Sequence, residues 1–258
     1  MRDDPLSILL EFAVDLAWRA GRSTLARFQN GTAVEWKSDA SPVTAADRDA
    51  ERLLRERIEQ HFPVDGIVGE EFGEVRPDAR RRWILDPIDG TRSFIHGVPL
   101  YGTLVAVEQD GQPVVGVIHL PALGETVAAA LGEGCSWNGR RARVSAVDSL
   151  RDALVLTSST RGMERSHAAA WERINDSVQM TRTWGDCYGY ALVATGRAEA
   201  MIDARLSIWD AAAMMPVVQE AGGMVTDFLG RPRPDSGNLI ASNAALAAEL
   251  RALLEEPA

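Results

Sequence analysis

The stretch Arg81 to Phe94, RRWILDPIDGTRSF, constrains this chain more than any other. An apolar run, Trp83-Ile84-Leu85, reads as a buried strand, and it stops at two aspartates three positions apart. Pro87 biases Asp86 away from helical geometry, and Gly90 permits a tight turn. A turn at a strand end can aim Asp86 and Asp89 at one point. Like charges held that close raise one another's pKa unless a cation lies between them. Oxygen donors of this kind suit Mg²⁺, which takes one or two carboxylates together with water and phosphate oxygens. Gly90-Thr91 then offer backbone N–H groups at a predicted helix start, a seat for a phosphate oxygen. The same residues also fit an Asx-turn leading into a capped helix, with both carboxylates accepting only backbone bonds. The stretch by itself is compatible with both.

The flanking sequence alternates strand and helix periods. Asp4-Pro5 opens a helix carrying Leu6, Leu9, Leu10, Ala13, Ala17 and Ala20 on one face, with Gly21 marking its end or a break. Residues 30–44 are polar, hold Gly and Pro, and read as a loop or weak hairpin. A second helix starts at Thr44 with Asp47 as its capping-box acid and Ala46, Ala50, Leu53, Leu54 and Ile58 as its core face. FPVDG (62–66) ends it, and IVGEEFG (67–73) is a short strand running into a turn that carries Glu70 and Glu71. Residues 101–121 form a hairpin turning at Gln109-Asp110-Gly111, and further strands follow to Ser145. A change of pattern near Arg143 to Ser149 divides one domain, 1–258, into an N-terminal α+β half (about 1–145) and a C-terminal α/β half (about 146–258). The second half reads as a strand over 153–160, a helix holding His167 to Ile174, and alternating segments to Asp203. A helix containing Pro216 follows, closed by Gly222-Gly223, then a strand, and a last helix from about Asn243 to Leu254. The fold class is α+β/α/β, with helices packed on substantial sheet.

Composition narrows the partners. A net charge of -10 argues against nucleic acid, whose binders are usually basic. No apolar run reaches the roughly 18 residues of a membrane helix. Asp3, Asp4, Glu11 and Asp15 interrupt the N-terminal apolar stretch, so it is not expected to act as a signal peptide. Cys135 and Cys187 are too few for a disulfide framework and fit a reducing compartment. The expectation is a cytoplasmic protein without membrane or nucleic-acid partners. His61, His96, His119 and His167 show no metal spacing, Cys187 reads as a packing residue, and Lys37 reads as a solvated loop lysine.

Three further motifs have ordinary structural readings one at a time. Asp47 caps a helix, Glu70-Glu71 fits a solvated turn, and Ser207 with Asp210 forms an S-x-x-D capping box. Taken in order, SPVTAAD, GEEFG, WILDPIDGT and WDAA…EAGG resemble the inositol monophosphatase-like family of metal-dependent, lithium-sensitive phosphatases. The resemblance spans nearly the whole chain and implies a layered α-β-α-β-α sandwich. It places Glu70, Asp86, the backbone carbonyl of Ile88, Asp89 and Asp210 where the family binds two to three Mg²⁺ ions. It places Gly90 and Thr91 at the phosphate, and gives Glu70, Thr91 and Asp47 the activation of an attacking water. A homodimer is implied by family analogy alone.

WGDCYGY (184–190) and ATGRAEAMID (194–203) resemble the histidinol-phosphate phosphatase branch of that family. This implies hydrolysis of a small-molecule phosphate ester, L-histidinol phosphate, with inositol-1-monophosphatase or a broad sugar phosphatase as the alternative. Asp89, Gly90, Thr91, Gly185, Asp186, Asp203 and Asp210 are the implied substrate contacts, with Asp186 and Asp203 meeting the ammonium of an amino alcohol. A non-catalytic regulatory member is the alternative of another class. Such a protein is expected to have lost a metal ligand or Thr91, and all are present here.

Overall fold

The amphipathic period of the N-terminal segment forms helix α1 (Leu6–Leu25), which buries Leu9, Ala13, Leu16, Ala17 and Ala20. The computed structural model describes residues 4–31, 33–38 and 41–255, so Asp3 and parts of the loop expected over 30–44 lie outside the described residues. Gly21 neither ends nor breaks α1. A Cβ at that position would stand 2.4 Å from His119 Cδ2, so the glycine serves close packing rather than chain reversal. The weak hairpin exists as β1 (Val34–Trp36) paired antiparallel with β2 (Pro42–Thr44). Helix α2 (Ala45–His61) begins at the expected Thr44/Asp47 capping box. Its buried face is Ala46, Asp47, Ala50, Glu51, Leu54 and Ile58; Leu53 is only partly buried, and two carboxylates occupy the face instead.

Strands β3 (Gly66–Gly69), β4 (Gly73–Val75) and β5 (Arg81–Asp89) follow, then the short helix α3 (Thr91–Ile95). The predicted hairpin is β6 (Gly102–Gln109) and β7 (Gln112–Leu120), turning through Asp110 and Gly111 at φ 52° and 81°. Left-handed residues at both turn positions match the twist of paired strands. Strands β8 (Glu125–Ala130), β9 (Gly134–Trp137) and β10 (Arg140–Arg141) complete an eight-stranded sheet in the order β10-β9-β8-β7-β6-β5-β3-β4. Every pairing in it is antiparallel except β3 with β5.

Strand β11 (Leu154–Leu156), helix α4 (Thr160–Ser177), β12 (Met180–Arg182), helix α5 (Asp186–Ala194) and β13 (Ala200–Asp203) start the second half. The helix expected around Pro216 is two short helices, α6 (Ile208–Ala211) and α7 (Met214–Glu220). Proline has no N–H to bond the carbonyl four residues back, at Ala212, so the hydrogen-bond ladder lapses there although the backbone stays right-handed. Strands β14 (Gly223–Thr226) and β15 (Leu239–Asn243) precede α8 (Ala247–Leu254). Asn243 ends a strand rather than starting the last helix, and its side chain accepts from the Leu246 N–H. The second sheet has the order β12-β11-β13-β15-β14.

The layers are α-β-α-β-α. Helices α1 and α2 cover one face of the large sheet, and α5 and α7 fill the space between the sheets. Helices α4 and α8 cover the outer face of the small sheet. The middle core joins Ile84, Leu104 and Ile118 of the large sheet to Met201, Leu239 and Ala241 of the small one through Tyr190, Val193, Met214 and Val217. Among the described residues no helix is long and apolar enough to cross a membrane, and both cysteines are free and buried.

Candidate active site

Strand β5 delivers the first two carboxylates. Its register with β6 shifts between Asp86 and Asp89, an irregularity that accompanies the convergence of two residues three positions apart. The Ile88 N–H donates to Asp86 Oδ1 at 3.0 Å, so the Asx-turn is present. Gly90 follows in the left-handed region, φ 80°, and starts α3. Asp210 arrives from α6, where it also closes the capping box by accepting from the Ser207 N–H at 2.7 Å. Oxygens of Asp86, Asp89 and Asp210 all lie within 4.8 Å of one another. Turn, cap and cluster are therefore simultaneous: backbone bonds occupy some oxygens and orient the rest.

Glu70 stands just past β3, with its N–H bonded to the Leu85 carbonyl at 3.3 Å. Lys37 is not a solvated loop lysine. Its Nζ bridges Glu70 at 2.8 Å and Glu71 at 2.7 Å, offsetting two largely buried carboxylates. Asp47 has both its cap role and a place in the site. Its Oδ2 accepts from the Thr44 N–H at 2.8 Å and hydroxyl at 2.6 Å, while Oδ1 lies 3.5 Å from Thr91 Oγ1. The Thr91 hydroxyl donates to the Ile88 carbonyl at 3.0 Å.

One turn on from Asp47, Glu51 is fully buried, and sequence reasoning missed it. Its carboxylate accepts from the N–H groups of Glu71 (2.7 Å) and Phe72 (3.2 Å) and from Arg55 Nε (2.7 Å). The spacing i, i+4 from Asp47 on a face otherwise apolar was its available signal. Replacing Glu51 with Ala strands these donors and the guanidinium, at a cost of about 3–5 kcal/mol. Urea denaturation checks this, with Glu51→Gln, which keeps an acceptor, expected to lose less.

Packing so many acids together raises their pKa values. Burial lifts Asp86 well above the carboxylate range, reinforced by Glu70 and Asp89. Burial does the same to Asp89, followed by the charges of Asp186 and Asp210. Asp210 rises to about 6 and Asp47 to about 6, burial being the main cause for each. Glu70 is raised by burial despite Lys37. A set of hard oxygen donors in this state fits a bound divalent cation, which would stabilise the ionised forms.

An open cavity of about 830 Å³ lies over these residues, with Glu70, Gly90, Thr91, Ser158, Gly185, Asp186 and Asp210 on its wall. Arg92, Arg205 and Trp209 also line it and were not singled out from sequence, and Ser207, read there only as a helix cap, lines it too. Asp186 rises to about 7, chiefly through burial and then through Asp203 and Asp210. The Cys187 N–H donates to Asp89 Oδ2, and its buried thiol is raised well above its usual range, as befits a packing residue. Asp203 is 3% exposed and sits behind Ser158 rather than on the cavity wall. Both of its carboxylate oxygens accept from protein donors, at Ser158, Thr157 and Tyr190.

Comparison with known proteins gives the same arrangement a family. The histidinol-phosphatase of Chlorobaculum parvum is 44% identical over 248 residues, covering 95% of this chain and 96% of that protein. The inositol-1-monophosphatase of Rhizobium meliloti is 35% identical over 260 residues, covering 97% of each. A solved inositol monophosphatase from Zymomonas mobilis superposes with a TM-score of 0.89 at 36% identity, covering 98% of this chain and 100% of that one. The family described as the inositol monophosphatase family matches residues 6–256. With its fold, its carboxylate cluster and a match across nearly its whole length, the chain belongs to the inositol monophosphatase family.

Proposed function

We propose that this chain is a Mg²⁺-dependent phosphomonoesterase that hydrolyses L-histidinol phosphate to L-histidinol and phosphate by direct attack of water. The observation that carries the reading is the convergence of Asp86, Asp89 and Asp210, with Asp210, Gly90 and Thr91 on the wall of one open cavity. Glu70, Asp86, Asp89, Asp210 and the Ile88 carbonyl would hold two to three Mg²⁺ ions. When bound, the ions supply positive charge for the phosphate and leaving oxygen and lower the pKa of the attacking water.

The chain's own residues do the rest. The backbone N–H groups that follow Gly90 at the start of α3 would receive phosphate oxygens. The Thr91 hydroxyl, between the Ile88 carbonyl and Asp47, orients the water and relays its proton toward the Asp47 carboxylate. Glu70, with Lys37 at its other oxygen, is the second acceptor for that proton. Asp186, on the wall across from Gly90, takes the ammonium of the amino alcohol, and a cation there restores its ionised form. The proposal includes the homodimer and the cytoplasmic setting expected from sequence.

The inositol phosphate reading is favoured by one observation, the 35% identity to an inositol-1-monophosphatase across the full chain. The histidinol phosphate reading is preferred because a histidinol-phosphatase is 44% identical over nearly the whole chain, and an acid at Asp186 on the cavity wall would pair with an ammonium that a polyol lacks. A regulator without activity is disfavoured by the intact acidic set. With Mg²⁺, L-histidinol phosphate is expected to exceed myo-inositol 1-phosphate, fructose 1,6-bisphosphate and 3′-phosphoadenosine 5′-phosphate in kcat/KM by at least about tenfold. A faster inositol phosphate replaces the substrate assignment, and silence on the whole panel removes the phosphatase reading.

A further inference from the structure

The last residue of β13 is buried with its charge spent. Asp203 Oδ1 accepts from the Ser158 N–H at 2.8 Å and the Thr157 hydroxyl at 3.4 Å. Its Oδ2 accepts from the Ser158 hydroxyl at 3.0 Å and the Tyr190 hydroxyl at 3.1 Å. An ionised carboxylate has about four lone-pair sites, and four donors fill them. The polar chain continues outward, because Ser158 Oγ accepts from the Asp186 N–H at 2.8 Å and Ser158 lies on the cavity wall.

Asp186 needs such support. It adopts φ 53°, in the left-handed region that favours glycine. A side chain other than glycine held there depends on its surroundings to fix it. Here its own N–H is tied to Ser158, the next N–H is tied to Asp89, and Tyr190, one helical turn on, is tied to Asp203. Gly185 is pressed against the same serine: a Cβ there would stand 2.4 Å from Ser158 Cα. In this conformation the Asp186 carboxylate faces Gly90, with Oδ2 3.0 Å from where a Cβ of Gly90 would be.

We propose that Asp203 is a positioning residue that sets substrate selectivity through Ser158, by holding Asp186 in the left-handed conformation that presents its carboxylate to the cavity. This rests on the reading that Asp186 meets the ammonium of the substrate. It replaces a direct contact by Asp203 with an indirect one, and makes Ser158 part of the selectivity device.

The test uses the full-length Mg²⁺-loaded protein and the ratio of kcat/KM for L-histidinol phosphate to that for glycerol 2-phosphate, which has no ammonium. Asp186→Asn is expected to lower that ratio by at least about 30-fold, the loss of a charge-assisted bond. Ser158→Ala and Asp203→Asn are each expected to lower it about tenfold, mainly through KM for the amino substrate. Added to Asp186→Asn, neither lowers it further, because both act through Asp186. Hydrogen exchange at the Asp186 and Cys187 amides accelerates in Ser158→Ala and Asp203→Asn. Should Asp203→Asn fail to fold, Tyr190→Phe removes one of its donors and is expected to move the same readouts in the same direction.

Multiplying effects in the Asp203→Asn/Asp186→Asn double variant would show a direct substrate contact and overturn the proposal. A ratio that falls in Asp186→Asn but holds in both Ser158→Ala and Asp203→Asn also overturns it, while leaving the ammonium reading intact. A ratio unmoved by Asp186→Asn removes the ammonium reading, and the selectivity role of Asp203 falls with it.

Discussion

Asp89→Asn is expected to abolish Mg²⁺-dependent phosphate release and, in the same protein, to raise the melting temperature of the metal-free form. Both results follow from one property of Asp89: it is 9% exposed and stands among acids. Burial, then the charges of Asp186 and Asp210, make its ionised form unfavourable in the absence of a cation. Asparagine keeps the shape and an oxygen for the Cys187 N–H, and removes the charge. Metal-free stability therefore rises, by about 2–4 °C in melting temperature for each kcal/mol of relieved repulsion. Activity falls by more than about 100-fold, since replacing even an outer-shell partner of a metal ligand costs 10–100-fold. Thermal melts in EDTA beside a phosphate-release assay separate the two effects. Activity equal to the parent protein would remove Asp89 from the metal site. Activity lost together with metal-free stability would make its carboxylate structural instead.

This opposition between function and stability explains which parts of the molecule were legible in the sequence. Features encoded by neighbours along the chain were readable: the Asp110-Gly111 hairpin, the Thr44/Asp47 box, the turn after Leu85 and the Ser207/Asp210 cap. Asp86 and Asp89 could be singled out because acids at a strand end violate the pattern around them. The supporting groups could not, because their partners come from distant elements. Asp203 has its meaning only beside residues 158 and 190, and Glu51 only beside the backbone of residues 71 and 72. Lys37 looked solvated because its two carboxylate partners lie more than 30 positions away.

The second large effect is a reversal of pH dependence by Mg²⁺. Without metal, the folded protein gains stability as pH is lowered from 8 toward 5. The acids of the site have folded pKa values above their unfolded ones: Asp186 reaches about 7, Asp47 and Asp210 about 6, and Asp86, Asp89 and Glu70 also move upward. In that window the folded state binds more protons than the unfolded chain, so stability is lost as pH rises through the folded values. One acid carried from 3.8 to about 6, such as Asp47, weakens the fold by about 3 kcal/mol once pH exceeds that value. The opposite sign belongs to His119, which burial lowers to about 4 so that it costs stability as pH falls below about 6.5. It belongs also to Asp227, which Arg231 and its backbone N–H hold below the usual range against the cost of burial. Its contribution is present above the unfolded value and disappears only at lower pH. Millimolar Mg²⁺ stabilises the ionised carboxylates, draws their pKa values down and binds more tightly as pH rises, because binding releases protons. Saturating metal should therefore flatten or invert the slope between pH 5 and 8, and the stabilisation by Mg²⁺ should be largest at pH 8. Urea denaturation across that range, in EDTA and in Mg²⁺, reads both slopes. Parallel curves with and without the ion would mean that the raised carboxylates are not where the cation binds.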